Sequence, residues 1–221
     1  MTGFERHPVQ ARVKAALDPL LAAAGLIALS PLMGAVAAAV AAESGRPVLF
    51  VRPRAGKEGK PFPMFKFRTM VQDADRRARE LTDDPFGLVP EDPRITRVGR
   101  FLRRSGLDEM PQLLNVVRGE MSLVGPRPDL VEQAANYRGD EGKRLSVKPG
   151  LTGWSQIHGR EDMTWPERHR HDAWYLENWS LALDAKIVVR TVGQLFRPEP
   201  TPVVDTVNIE RARRAGTGED A

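Results

Sequence analysis

One long uncharged segment restricts the folds that this chain can adopt. Residues 19–42 read PLLAAAGLIALSPLMGAVAAAVAA and contain no Asp, Glu, Lys or Arg. A helix of about 20 apolar residues spans a bilayer, whereas the apolar region of a signal peptide is shorter and leads to a cleavage site. The segment therefore predicts a membrane-associated helix that remains in the mature protein.

The residues leave two arrangements of this helix open. Pro31 has no amide donor and clashes with the preceding turn, so a bend is expected there, and the Ser30 hydroxyl can bond the carbonyl that is set free. Basic residues favour the cytoplasmic side on both flanks. They are Arg6, Arg12 and Lys14 before the segment, and Arg46, Arg52, Arg54, Lys57, Lys60, Lys66 and Arg68 after it. A re-entrant helix, which enters and leaves by one leaflet, places both flanks on the cytoplasmic side. A plain transmembrane span stays open as the alternative, because prolines also occur in true spans.

The composition of the whole chain indicates one folded domain with an additional element. With 221 residues, 41% hydrophobic and 28% charged, the chain is neither disordered nor fibrous. The absence of cysteine excludes a disulfide framework, a thiolate zinc site and a cysteine nucleophile. The net charge of +4 is compatible with nucleic acid, anionic lipid or phosphorylated substrates.

Local patterns predict the main elements after the apolar segment. Two short strand-like runs within residues 43–70 predict a hairpin. The predicted helices comprise a charged one over 71–81, one from a Ser105 cap to Gly119, one from Thr164 to Asn178, and one from a Ser180 cap to Phe196. The apolar face of the last helix fits either a membrane surface or an ordinary core contact. Residues 82–98 are predicted to be loop, and the tail after Pro198 to be loosely ordered.

Asp108 and Glu109 are the strongest candidates for chemistry. The predicted helix start would favour anions there, although acidic residues also occur in first turns for capping alone. The surrounding sequence is rich in arginine, which suits phosphate recognition: Arg97, Arg100, Arg103, Arg104, Arg118 and Arg127. Paired carboxylates among arginines indicate a pyrophosphate bound with Mg²⁺. No glycine-rich phosphate loop or HExxH metal motif is present in the sequence.

Four blocks of sequence closely resemble the bacterial sugar transferase family, the monotopic polyprenyl-phosphate phosphoglycosyl transferases. They are KFRTM, DPRITRVGRFLRRSGLDEMPQLLNVVRGEMSLVGPRP, VKPGLTGWSQIHGR and YLENWSLALDAKI, which begin at residues 66, 92, 147 and 175. The resemblance covers about residues 13–196. It departs from the usual pattern at Gly106, Met110 and His158.

The resemblance implies an α-rich α/β fold with interfacial amphipathic helices. Residues 13–42 would form a re-entrant membrane helix broken at Ser30 and Pro31, residues 43–197 a compact catalytic domain, and residues 198–221 a loosely ordered tail. The protein would lie on the cytoplasmic face of the bacterial inner membrane. It resembles the small form of the family, without additional N-terminal spans.

The resemblance also implies a reaction and roles for individual residues. Asp108 would attack the β-phosphate of a UDP-sugar, releasing UMP and leaving a phosphosugar on the enzyme, which polyprenyl phosphate then removes. Glu109 would bind Mg²⁺, Arg103 the lipid phosphate, and Arg127 the nucleotide sugar. Asp172 resembles an active-site acid of the family, and Lys66 and Arg68 are candidate phosphate contacts.

Other functions are less compatible with these residues. A magnesium-dependent membrane phosphatase or pyrophosphatase and a non-enzymatic membrane-tethered binding protein are the alternatives, and no nucleic-acid partner is expected. The sequence does not determine the sugar transferred, the downstream glycan, the oligomeric state, or the roles of His158 and the tail.

Overall fold

The computed structural model describes residues 2–74, 76–77, 92–159 and 163–195. Residues 75 and 78–81 of the charged helix predicted for 71–81, and residues 82–91 of the loop predicted for 82–98, lie outside these ranges. The C-terminal tail also lies outside them.

The apolar segment lies within one long helix. A short helix α1 (Gly3–Arg6) precedes α2 (Pro8–Ser44), which continues for 37 residues through Pro19 and Pro31 and is therefore about 55 Å long. The Ser30 hydroxyl donates to the carbonyl oxygen of Ile27 at 2.8 Å. This carbonyl lies four residues before Pro31, so the expected substitution of a hydroxyl for the missing amide donor is confirmed.

Most of α2 is exposed, unlike the core helix of a soluble protein. In the described part of the chain, α2 is long and apolar enough to cross a bilayer; its 18-residue apolar window has a mean hydropathy of 2.1 and only 11% of it is buried. Large apolar side chains on its outer face include Leu20 and Ile27, which are 66% and 76% exposed. An exposed apolar face of this length indicates association with a membrane.

The predicted hairpin is confirmed. Strands β1 (Leu49–Ala55) and β2 (Pro61–Phe67) pair antiparallel, with Leu49 opposite Phe67 and Ala55 opposite Pro61. A second pair, β3 (Ser122–Val124) and β4 (Gly150–Thr152), is parallel. Within the described ranges the sheets have two strands each, so the fold is dominated by helices, as the α-rich prediction expected.

Short helices and two longer C-terminal ones complete the domain. They are α3 (Arg97–Ser105), α4 (Gln112–Val117), α5 (Val131–Ala135), α6 (Asp140–Lys143), α7 (Gln156–Gly159), α8 (Trp165–Asn178) and α9 (Leu181–Leu195). The predicted capping box is present, because the side chains of Thr164 and Glu167 each bond the other's backbone amide at the start of α8. Ser180 accepts from the amide of Leu183 at 3.2 Å and so caps α9 as predicted.

The helix start predicted at Ser105 is wrong. Ser105 is the last residue of α3, and its hydroxyl donates backward to the carbonyls of Phe101 and Leu102 instead of capping a following helix. Gly106, with φ of 70°, ends α3 in the left-handed conformation, and a 3₁₀ turn (Leu107–Glu109) precedes α4. The predicted stop at Gly119 is confirmed by its φ of 76° just after α4.

Helix α2 is packed against the domain along one face. Three hydrophobic clusters receive side chains from successive parts of it: Ala11 from the N-terminal part, Ala22 from the middle, and Val36 with Val40 from the C-terminal part. The buried positions therefore recur along the whole helix, so the domain lies beside α2 rather than beyond one of its ends.

Candidate active site

The 3₁₀ turn presents Asp108 and Glu109 directly beside the apolar helix. The flanking residues Leu107 and Met110 pack in the hydrophobic cluster that also contains Val36 and Val40 of α2. Apolar anchors on both sides of the carboxylate pair fix the turn at the C-terminal half of α2.

Close backbone packing positions Arg103 near this turn. A Cβ added at Gly99 would lie 2.0 Å from the carbonyl oxygen of Thr69, so α3 approaches the chain after β2 as only glycine allows. The Nε atom of Arg103 then donates to the Thr69 hydroxyl at 3.0 Å. Arg103 is also among the cations whose charge acts to lower the pKa of Asp108.

Two cations hold the Glu109 carboxylate. The Lys66 Nζ atom lies 2.6 Å from Glu109 Oε1, and the Arg127 guanidinium lies 3.4 Å from the same oxygen. Burial acts to raise the pKa of Glu109, but Lys66 and Arg127 outweigh it and lower that pKa to about 2. Glu109 is therefore a permanent anion within a cationic cluster.

Asp108 has the opposite character. Its side chain is buried, at 9% exposure, and burial raises its pKa to about 6, with the neighbouring Glu109 charge also raising it and Lys66, Arg103 and Arg127 opposing the rise. Adjacent carboxyl groups whose pKa values are pushed apart are typical of catalytic centres. An ionised Asp108 would be poorly solvated and so a more reactive nucleophile than a surface aspartate.

A polar pocket opens beside Glu109. Its wall is built from both strand pairs, α4, α7 and the segment around Arg127: Arg54, Met64, Lys66, Glu109, Gln112, Arg127, Pro128, Gly150, Leu151 and Gln156. Arg54, Lys66 and Arg127 provide three cationic groups on this wall. Such a concentration of positive charge suits a diphosphate.

Asp172 lies behind the pocket rather than on its wall. It is 1% exposed, and it accepts from Arg144 at 2.7 Å and from the Ser155 hydroxyl at 2.9 Å. Arg144 in turn pairs with Asp129 and donates to the backbone carbonyl of Arg127 at 3.0 Å. Asp172 thus supports the chain segment that carries Arg127.

The structure separates Arg68 from the other predicted site residues. Its guanidinium is 7% exposed and donates to the carbonyls of Ser44 and Gly45 and to the Ser44 hydroxyl. These bonds satisfy carbonyls at the C-terminal end of α2. Lys66, two residues earlier, points to Glu109 instead.

Several residues of the site escaped sequence reasoning. Gln112 follows the carboxylate pair by one helical turn, a spacing that could have indicated it. Arg54 and Gln156 come from distant segments, and Arg144 carries no local signal. Only the tertiary structure brings these four residues around Glu109 and Arg127.

Comparison with known proteins shows the family of this chain. A family profile described as bacterial sugar transferase matches residues 9–198, which include every residue of the pocket. The chain belongs to the bacterial sugar transferase family. It is therefore a transferase, and the family region comprises α2 together with the domain packed against it.

Individual members of the family are similar over most of this chain. The uncharacterised sugar transferase EpsL of Bacillus subtilis is 41% identical over 81% of the chain and 85% of its own length. The undecaprenyl-phosphate galactose phosphotransferase of Salmonella typhimurium is 41% identical over 78% of the chain, and the UDP-glucose:undecaprenyl-phosphate glucose-1-phosphate transferase of Escherichia coli is 42% identical over 83%. The chain spans only 38% and 40% of these two longer relatives.

Proposed function

We propose that this sugar transferase moves a sugar 1-phosphate from a UDP-sugar to polyprenyl phosphate through a covalent intermediate on Asp108. The observation that carries the proposal is a buried aspartate of raised pKa next to Glu109, Lys66 and Arg127. The names of the Salmonella and Escherichia relatives support undecaprenyl phosphate as acceptor, and the latter supports a UDP-sugar as donor.

The first step forms a bond between a carboxylate oxygen of Asp108 and the β-phosphorus of the donor. The bond from that phosphorus to the bridging oxygen breaks, and UMP leaves with the electron pair. Lys66, Arg127 and Arg54 lie on one pocket wall and would offset the charge on the transferred and leaving phosphates. The sugar phosphate then remains on Asp108.

The second step returns the enzyme to its starting state. A phosphate oxygen of the polyprenyl phosphate attacks the same phosphorus, the bond to Asp108 breaks, and polyprenyl diphosphate sugar is released with a free carboxylate. Arg103, exposed on α3 and bonded to Thr69, is the proposed contact of the lipid phosphate. Dividing the transfer into two displacements lets UMP depart before the lipid reacts.

Mg²⁺ is part of this proposal. The described residues contain no group of three or more His, Cys, Asp or Glu side chains that could hold a metal alone. Mg²⁺ is commonly bound by one or two carboxylates together with substrate phosphates, and Glu109 beside Asp108 fits that requirement. Glu109 would hold the ion, which would supply further neutralisation of phosphate charge.

The proposed location is the cytoplasmic face of the bacterial inner membrane, with α2 re-entrant. Basic residues flank both ends of the uncharged segment, and one face of α2 contacts the domain along its length. A perpendicular span would place the part of the domain that packs beside the middle of α2 inside the bilayer. A helix that returns to its own leaflet avoids this, so the packing supports the re-entrant arrangement. The turn holding Asp108 would then lie at the membrane surface, within reach of a lipid acceptor.

The deciding experiment is UMP release by purified protein with Mg²⁺, undecaprenyl phosphate and a panel of UDP-sugars. We expect lipid-dependent UMP release with at least one donor, and its loss in Asp108→Asn. Asp73→Asn is a matched control, because Asp73 pairs with Arg76 and Arg77 away from the pocket. Unchanged activity in Asp108→Asn would refute the assigned nucleophile, and release of inorganic phosphate without UMP would favour the phosphatase alternative.

A further inference from the structure

Three buried polar atoms on the pocket wall have no hydrogen-bond partner within the protein. They are Arg54 Nε, Gln112 Nε2 and Gln156 Oε1. A buried polar atom without a partner costs about 1–3 kcal/mol, and native proteins contain few of them. Three such atoms around one pocket indicate that a polar ligand or ordered water completes their bonding.

The two glutamines offer opposite hydrogen-bonding groups. The Gln156 Nε2 atom donates to the carbonyl of Leu151 at 3.1 Å, which fixes the amide so that Oε1 is the unused atom. Gln156 therefore presents an acceptor and Gln112 presents a donor. A phosphate without a proton could bond Gln112 but has nothing to donate to Gln156. Hydroxyl groups can both donate and accept, so they match the pair.

The position of the pocket indicates which part of the UDP-sugar would contact the amides of Gln112 and Gln156. Lys66, Arg127 and Arg54 are suited to the β-phosphate, and they share the wall with both glutamines. The sugar is bonded directly to the β-phosphate, whereas the ribose and the α-phosphate separate the uracil base from it. The ribose adjoins the leaving α-phosphate, whereas the sugar adjoins the β-phosphate that Asp108 would attack, so we assign the neutral group beside Glu109 and these cations to the sugar.

We propose that Gln112 and Gln156 bind hydroxyl groups of the donor's sugar and determine sugar specificity, and that Arg54 Nε binds the adjoining phosphate. This inference rests on the proposed transferase reaction. Gln112 and Gln156 come from the first residues of α4 and α7, so two separate elements would hold the sugar from different sides.

The test compares wild type with Gln112→Met and Gln156→Met, which keep the side-chain length and remove the amide. We measure kcat/KM of UMP release with UDP-glucose, UDP-galactose and UDP-N-acetylglucosamine, and the Kd of UDP. Each variant should lose about tenfold in kcat/KM for the preferred UDP-sugar and discriminate less between sugars, with the Kd of UDP unchanged. Gln112→Asn, with a shorter amide, should fall between wild type and Gln112→Met.

Gln194→Met is the matched control. The Gln194 amide also donates to a backbone carbonyl, that of Ile157 at 3.2 Å, but Gln194 does not line the pocket. The kcat/KM of Gln194→Met should equal that of wild type. This control shows whether the loss of one hydrogen bond from a glutamine amide to a backbone carbonyl is enough to lower activity. Thermal unfolding of each variant in detergent identifies any variant that fails to fold, and Gln112→Asn then replaces Gln112→Met.

Three results would overturn the inference. Unchanged selectivity in active, folded variants would mean that water alone fills the subsite, while the transferase proposal would stand. An equal loss of affinity for UDP and UDP-sugar would assign the amides to the nucleotide. Absence of UMP release by wild type with every donor would overturn the transferase proposal itself, and this inference with it.

Discussion

Asp108 and Glu109 are neighbours in the sequence, but their carboxyl groups have different surroundings. Glu109 faces Lys66 and Arg127, which hold its pKa at about 2, whereas burial dominates at Asp108 and raises its pKa to about 6. Glu109 is thereby ionised and paired with cations, whereas burial makes the ionised form of Asp108 unfavourable. The difference arises because Lys66 and Arg127 form ion pairs with Glu109, whereas at Asp108 the effect of burial exceeds that of the nearby cations.

The raised pKa of Asp108 predicts an acid limb in the pH profile. In the proposed mechanism only the ionised carboxylate can attack phosphorus, so formation of the proposed covalent intermediate should fall about tenfold per pH unit below about pH 6. Single-turnover UMP release without lipid acceptor, measured from pH 5 to 8, reports this step. An aspartate of ordinary pKa would instead give a flat profile over that range.

The same shift predicts that Asp108, the proposed nucleophile, destabilises the fold when it is ionised. The native pKa of Asp108 lies above the ordinary value of 3.8, so ionisation costs stability as pH rises from about 4 to 6, on the order of 3 kcal/mol in total. Asp108→Asn should therefore be more stable than wild type at pH 7, and the difference should disappear near pH 4. Urea unfolding in detergent at both pH values tests this, and a gain that did not depend on pH would exclude burial of charge as its cause.

At the scale of elements, α2 is attached to the domain by charge as well as by apolar contact. Lys14 is 7% exposed and lies 3.2 Å from Asp18 and 2.7 Å from Asp184 of α9. Asp184 also accepts from the Tyr175 hydroxyl and the Trp179 indole, at 2.9 and 3.2 Å. This buried network joins the N-terminal part of α2 to α8 and α9.

Removing the cation from that network should be costly. Lys14→Met leaves the buried Asp184 and the partly buried Asp18 without their counter-ion, so a loss of about 3–5 kcal/mol in the free energy of unfolding is expected. The control is Lys60→Met, because Lys60 pairs with Glu58 at the surface, where both side chains are exposed and an ion pair contributes little. Similar losses in the two variants would show that the buried network does not hold α2.

At the scale of the whole molecule, the re-entrant proposal fixes both ends of α2 on one side of the membrane. The chain contains no cysteine, so a thiol reagent labels only the one cysteine that is introduced. Arg6→Cys before α2 and Lys57→Cys after it are both exposed positions. In inverted membrane vesicles, an impermeant maleimide should label both. If Arg6→Cys were instead labelled in right-side-out spheroplasts and not in inverted vesicles, α2 would span the membrane.

Local patterns predicted much of the fold. The hairpin, the capping box of α8, the cap of α9 and the Ser30–Ile27 bond all follow from residues a few positions apart. The start predicted at Ser105 was wrong because the hydroxyl found partners in the preceding turn, and glycine at 106 allowed α3 to end there. Ser180 and Ser105 each use the hydroxyl to bond a backbone group a few residues away. The Ser180 hydroxyl accepts from the helix that follows it, whereas the Ser105 hydroxyl donates to the helix that it ends.

By itself, the sequence determined that this protein has a long apolar segment and an adjacent pair of acidic residues with many arginines nearby, because both are features of neighbouring residues. The tertiary structure decided which cations reach Glu109, that Asp108 is buried, and that Asp172 and Arg68 lie away from the pocket wall. Burial and charge pairing depend on segments far apart in the chain, such as β2, α4 and α7. Their effects on pKa and on ligand contacts therefore arise only when the chain is folded.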